Sequence, residues 1–158
     1  MNLIDRKNGK KLRGVIEKVS KDDFEIISKT KNFGFNWSLE FQNQIYKIRL
    51  NKNEEVLGLI SIIDCPKELR IHINLIESSK INRGKNKEVL NIPGCLIAFA
   101  CKISFKNGYD GFVSLTPKTQ LIKYYSKTYG FIQFGVQMAV LQEISESIIQ
   151  KYIGDEEV

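Results

Sequence analysis

From Gly94 to Gly108 the chain reads GCLIAFACKISFKNG, apolar nearly all the way round. A helix of that composition has no face for water, so it must lie inside a domain with other elements walling it on every side. Its alanines, Leu96 and its length favour helix over strand, and Asn107-Gly108 supplies the stop. The rest of the chain has to provide the walls. With 158 residues it is long enough, since a chain of this size buries roughly two thirds of its unfolded surface.

The walls read mostly as strands. QIYKIRL (44–50) and EVLGLISIID (55–64) are β-rich runs separated by the turn cluster Asn51-Lys52-Asn53-Glu54. ELRIHINLIESS (68–79) alternates, with Ile71, Ile73 and Leu75 on one face and Arg70, His72 and Asn74 on the other. INRGKNKEVLNIPG (81–94) is a basic loop leading into the apolar helix. After the helix come a short strand, GFVSLTP, and an amphipathic helix, KTQLIKYYSKTYG. An alternating strand, FIQFGVQMAVL, with Ile132, Phe134, Val136, Met138 and Val140 on one side, and a final helix, QEISESIIQKYI, complete the chain. Residues 12–28 read as two short strands around Lys21-Asp22-Asp23, and 33–43 as aromatics followed by a brief helical pattern. From residue 45 onward the order is β-β-β-α-β-α-β-α. It predicts one α/β (α+β) domain, a mixed, mostly antiparallel twisted sheet with helices on both faces.

Composition removes several function classes. No apolar run approaches the roughly 20 residues that span a bilayer, and MNLIDRKNGKKLRG has no apolar core of a secretory signal, so a cytoplasmic protein without membrane partners is expected. Cys65, Cys95 and Cys101 form no CxxC pair, and His72 is the sole histidine, so no metal is expected. The net charge of +6 suits nucleic acid, an anionic cofactor or an acidic partner. The cations are dispersed except for RKNGKK (6–11) and KINRGKNK (80–87). A nucleotide P-loop is excluded by spacing, because Ser79 stands where its first glycine would precede Gly84.

The element order, with three local signals, resembles the GNAT superfamily of acyl-CoA-dependent N-acetyltransferases. The resemblance covers roughly residues 45–141, with a divergent part at 1–44 and a C-terminal helical part at 142–158. EVLGLISI looks like the family's central strand. NRGKNKEVLNIPG is a basic, glycine-containing loop before a buried helix. KTQLIKYYSKTYGF is similar to the family's late helix, which sets Leu121-Ile122 on its Ala-Ile pair, Tyr125 on its tyrosine and Gly130-Phe131 on its Gly-Phe. The departures are Lys118 in place of an asparagine, an Arg83-Gly84-Lys85 that matches only the start of the pyrophosphate motif, and no pair of amphipathic helices in the first 44 residues.

What the resemblance implies is direct transfer of an acetyl group from acetyl-CoA to an amine. Arg83, Gly84, Lys85, Asn86 and Gly94 would receive the phosphates at a helix start. The backbone of Leu75, Ile76 and Glu77 would polarise the thioester carbonyl. Tyr125 would protonate the leaving thiolate, with Tyr124 and Tyr129 as fallbacks, and Glu77 would serve as base, with His72 as the other candidate. The thin N-terminal region suggests an open acceptor side, hence a macromolecular acceptor or a partner chain such as a second copy in a homodimer. Two other readings stay open: a GNAT-like binding or regulatory domain without catalysis, and a basic nucleic-acid-binding protein.

Overall fold

The computed structural model describes residues 1–156. In chain order it holds β1 (Leu3–Asp5), β2 (Lys11–Leu12), β3 (Gly14–Lys18), α1 (Lys21–Lys29), β4 (Gln44–Leu50), β5 (Val56–Cys65) and β6 (Arg70–Ser78). There follow β7 (Val89–Leu90), α2 (Ile92–Lys106), β8 (Val113–Leu115), α3 (Ile122–Tyr129), β9 (Ile132–Phe134), β10 (Gln137–Val140) and α4 (Gln142–Tyr152). One sheet runs β3-β4-β5-β6-β8-β10-β9, antiparallel throughout except for β6 and β8. That one parallel pair is a consequence of α2, which carries the chain back across the sheet between the two strands.

The apolar helix is enclosed as its sequence requires. Leu96, Ile97, Ala100 and Cys101 are wholly buried against Ile48, Ile60, Ile62, Ile71 and Val113 of the sheet. On its other flank α4 packs along it through Ile148 and Tyr152. Gly58 lets the start of α2 approach the sheet: a Cβ there would lie 2.6 Å from Ile92 Cγ2. The opposite face of the sheet is covered by α1 and the segment after it, with Ile27, Trp37, Ile45 and Leu59 as a second, smaller core. Lys47, buried on β4, ties α1 down by an ion pair of 2.8 Å to Asp23.

Two local expectations are corrected, and one element is new. The second strand expected within 12–28 is α1. Ser20 accepts from the Asp23 N–H at 3.1 Å while the Asp23 carboxylate accepts from the Ser20 N–H at 2.9 Å, a reciprocal cap that starts a helix. The β-prone FEII then turns Phe24 and Ile27 onto Trp37 at helical spacing. The alternating run 131–141 is a hairpin and not one strand, because Gly135 at φ +60 turns the chain between β9 and β10. Met138 and Val140 are buried as expected, but Ile132, Phe134 and Val136 are exposed on the sheet's edge. Finally, the divergent N-terminus builds a small second sheet, β2-β1-β7, beside the start of α2.

Candidate active site

β6 and β8 share only three pairs, Ile71–Val113, His72–Ser114 and Ile73–Leu115. Beyond them the strands part. β6 carries a bulge at Asn74, where the register with β5 jumps from Ile62–Ile73 to Ser61–Leu75, and a bulge bends and twists its strand. β8 ends at Leu115, and Pro117 offers no N–H to continue a ladder. β6 runs on to Ser78 with one backbone edge unpaired, and a cavity of about 230 Å3 opens beside it. Asn74, Leu75 and Ile76 form its floor, Leu115 to Lys118 one wall, and Leu121 and Tyr125 the other. Phe35 closes it from outside, with the Lys118 ammonium 5.4 Å from the centre of its ring.

The bulge also decides which face each side chain takes. Ile71 and Ile73 pack toward α2, but past Asn74 the parity reverses, so Ile76 points toward α2 while Leu75 joins the Trp37 core. Glu77 follows Leu75 and is buried. Its carboxylate accepts from the Gly34 N–H at 2.6 Å, the Phe35 N–H at 3.2 Å, the Trp37 indole at 2.9 Å and Arg83 Nη1 at 3.2 Å. Two residues expected to serve different ends of the reaction, Glu77 and Arg83, are therefore paired with each other. Together they hold the 33–37 segment over the cleft, and Arg83 reaches on to the Asn32 carbonyl at 3.4 Å.

The three phenols of α3 separate cleanly. Tyr124 and Tyr129 hydroxyls face each other at 3.2 Å, and the Tyr129 ring is buried against Tyr152 and Phe131. Tyr125 packs its ring on Phe131 and lines the cavity, and its hydroxyl has no partner among the described residues. Burial, and secondarily Tyr124, raises its phenol above the ordinary value, so at neutral pH it holds its proton.

Gly84, Lys85 and Asn86 are exposed in the loop between β6 and β7, whose base is fixed by buried Asn82 bonding Ser79 Oγ and the Val89 N–H. Gly94 lies apart from them. It sits in the first turn of α2, buried, with its absent Cβ facing the Tyr152 ring. The start of the helix is covered by the chain itself, since Asn91 Nδ2 donates to the Asn2 carbonyl and the Asn2 N–H to the Tyr152 carbonyl. Gly94→Ala should then cost about 2 kcal/mol by overpacking. Urea denaturation would read it, and the same substitution should cost less in a Tyr152→Leu background, where the clashing ring is gone.

His72 stands two positions before the bulge, with Nδ1 2.9 Å from Ser114 Oγ and 3.1 Å from Arg70 Nη1. Burial, then the Arg70 charge, lowers its pKa and keeps it neutral. It does not line the cavity. Cys95 and Cys101 are buried and pushed up to about 12 by burial, so neither supplies a thiolate. Glu40 was not foreseen as a site residue: from the turn before β4 it accepts from Asn74 Nδ2 at 2.6 Å, which places a carboxylate against a cavity residue. Nothing in the local sequence marks it, because the contact spans 34 positions. Among the described residues no group of His, Cys, Asp and Glu could hold a metal, and no helix is long and apolar enough to cross a membrane.

No family model matches the sequence, and no curated protein matches it. Solved structures do resemble it. A chimera of the spermidine N-acetyltransferase SpeG from Vibrio cholerae superposes with a TM-score of 0.63 at 12% identity, over 87% of this chain and 98% of that one. Nourseothricin acetyltransferase gives 0.60 at 11%, over 81% and 98%. AtaT complexed with acetyl-methionyl-tRNAfMet gives 0.59 at 12%, over 86% and 97%. The fold is that of the GNAT acetyltransferases, reached by a divergent sequence.

Proposed function

We propose that this protein transfers an acetyl group from acetyl-CoA to an amine by direct attack in the β6–β8 cleft, with Tyr125 as the proton donor to the departing thiolate. The observation that carries the proposal is a protonated phenol, without a partner among the described residues, on the wall of a strand splay in an acetyltransferase fold. Acetyl-CoA supplies the activated acyl carbon, and AtaTR, of the same fold, is known bound with it. The cleft suits a thioester arm: its walls are mostly apolar, and the unpaired edge of β6 around Leu75 and Ile76 offers backbone N–H groups for the carbonyl. The phosphate end falls to Gly84, Lys85 and Asn86, with Arg83 beside them; Gly94 we assign to packing. Glu77 we assign to anchoring the 33–37 segment, since its carboxylate already accepts four hydrogen bonds. Glu40, held at Asn74, is the carboxylate that takes the acceptor's proton, through water. The tRNA seen with AtaT supports a macromolecular acceptor here.

One observation favours a second reading, a domain that keeps the fold without turnover. The start of α2, where the fold's relatives are expected to seat a pyrophosphate, is covered by Asn2 and Tyr152. Calorimetry with acetyl-CoA decides between them. Micromolar binding, weakened about tenfold in Lys85→Ala/Asn86→Ala, supports transfer. A folded protein that binds no acetyl-CoA overturns it and leaves the second reading.

A further inference from the structure

The net positive charge of this protein is gathered in two segments. Residues 1–14 hold five cations against Asp5, and residues 80–88 hold four against Glu88. These two segments therefore carry +7 and all the rest of the chain −1, within a net charge of +6. They are some 70 positions apart in sequence, yet the small sheet makes them neighbours: β1 pairs with β7 through Ile4–Leu90 and Asp5–Val89, and the Arg6 N–H donates to the Glu88 carbonyl at 3.0 Å. Arg6, Lys7, Asn86 and Lys87 line a shared groove of about 440 Å3. Across β2, Lys11 and Arg13 line a second groove of about 400 Å3 with Lys52 from the β4–β5 turn.

Of the nine cations, eight have no carboxylate within 4.0 Å among the described residues; Arg83, paired with Glu77, is the exception. The acids of the region are Asp5, Glu55 and Glu88 in the first groove and Glu156, which shares a cavity with Lys11 and Arg13 but pairs with the N-terminal ammonium; none comes within ion-pair distance of the eight. Such a concentration of like charge, +7 net across the two segments, costs self-repulsion that these few acids relieve only in part. It also exceeds what one cosubstrate needs, since the three phosphates of a coenzyme A carry only about four negative charges. A polymer of phosphates matches it better.

We infer that the face built by the β1–β2 hairpin, the 80–88 loop and Lys52 binds the phosphate backbone of a nucleic acid. The recognition is through charge, and RNA and DNA share it. Binding does not depend on acetyl transfer; only a role in presenting a nucleic-acid-borne amine to the cleft would rest on that reading.

The test is fluorescence anisotropy with labelled single-stranded RNA and duplex DNA of about 20 nucleotides across a salt series. For wild type, about six phosphate contacts predict that log K falls with log salt at a slope of roughly −4 on the single strand and −5 on the duplex. Lys7→Ala/Lys10→Ala/Lys11→Ala should weaken binding at least about tenfold and flatten the single-strand slope by about 2. Lys29→Ala/Lys67→Ala/Lys106→Ala removes the same charge from elsewhere and should leave both nearly unchanged. Thermal melts check that each variant folds. Equal losses in the two triple variants, or no binding by wild type, would overturn the inference. So would tighter binding to phosphatidylserine vesicles than to either nucleic acid, lost with the same hairpin lysines, since the face would then serve a membrane surface. Calorimetry of the hairpin variant with acetyl-CoA keeps the two proposals apart: nucleic-acid binding lost with acetyl-CoA binding intact supports this face alone, and wild type that binds RNA but no acetyl-CoA sinks the transfer reading and leaves this one standing.

Discussion

Tyr125→Phe should lower the turnover number for acetyl transfer about 100-fold while leaving the apparent KM for acetyl-CoA and the melting temperature close to wild type. The reasoning is local. The ring packs on Phe131 and is kept by phenylalanine, whereas the hydroxyl makes no hydrogen bond to the described residues, so its removal strands no partner. What is lost is the phenolic proton, which any tyrosine holds at neutral pH and which burial binds more firmly still. Thiol release with a general amine acceptor reads the effect. Tyr124→Phe is the internal comparison: it removes a hydroxyl whose one partner among the described residues is Tyr129, and should change turnover less than about threefold. An equal loss in both variants would mean that α3 contributes by packing, and the assignment of Tyr125 would fall.

The largest stability effect is expected at Glu77. Glu77→Ala leaves two backbone N–H groups, the Trp37 indole and Arg83 without their acceptor, where the carboxylate and the indole are both buried. Losses of this kind run to about 3 kcal/mol for a buried hydrogen-bonded charge. In a chain of this length that lowers the melting temperature by roughly 6–12 °C. Glu77→Gln keeps the shape and one acceptor oxygen, and should lose about half as much. The pair of variants separates anchor from base. An anchor loses stability in both, and turnover follows the folded fraction. A general base would lose turnover in Glu77→Gln with its stability hardly changed.

The sequence carried the architecture because its signals are periodic and local. The apolar helix at 94–106 announces its own burial, the hairpin at 44–64 its turn, and the alternation of 70–73 its buried face. Those patterns, with the late helix ending at Gly130-Phe131, suffice for a strand meander, a crossover helix and the resemblance that follows. It is the resemblance, and not the periodicity, that implies a shared site for Tyr125 and the floor residues Leu75 and Ile76. Where two local signals competed, the reading failed. FEII is β-prone, and only the reciprocal Ser20–Asp23 cap and Trp37 waiting on the other side make it a helix.

The site's chemistry belongs to the tertiary structure. A one-residue bulge at Asn74 reverses the parity of β6, and with it the fate of Glu77, which goes to a buried clamp. Gly94 reads as room for a phosphate until Tyr152, 58 positions away, fills the space. Glu40 meets Asn74, and the basic segments meet each other, through pairings that no window of sequence contains. Composition and periodicity are sums over neighbours in the chain, so they determined the layers, the core and the net charge. Which carboxylate reaches a cavity residue, which hydroxyl has no partner among the described residues and where the charge is gathered depend on distances across the fold, and only the folded chain decided them.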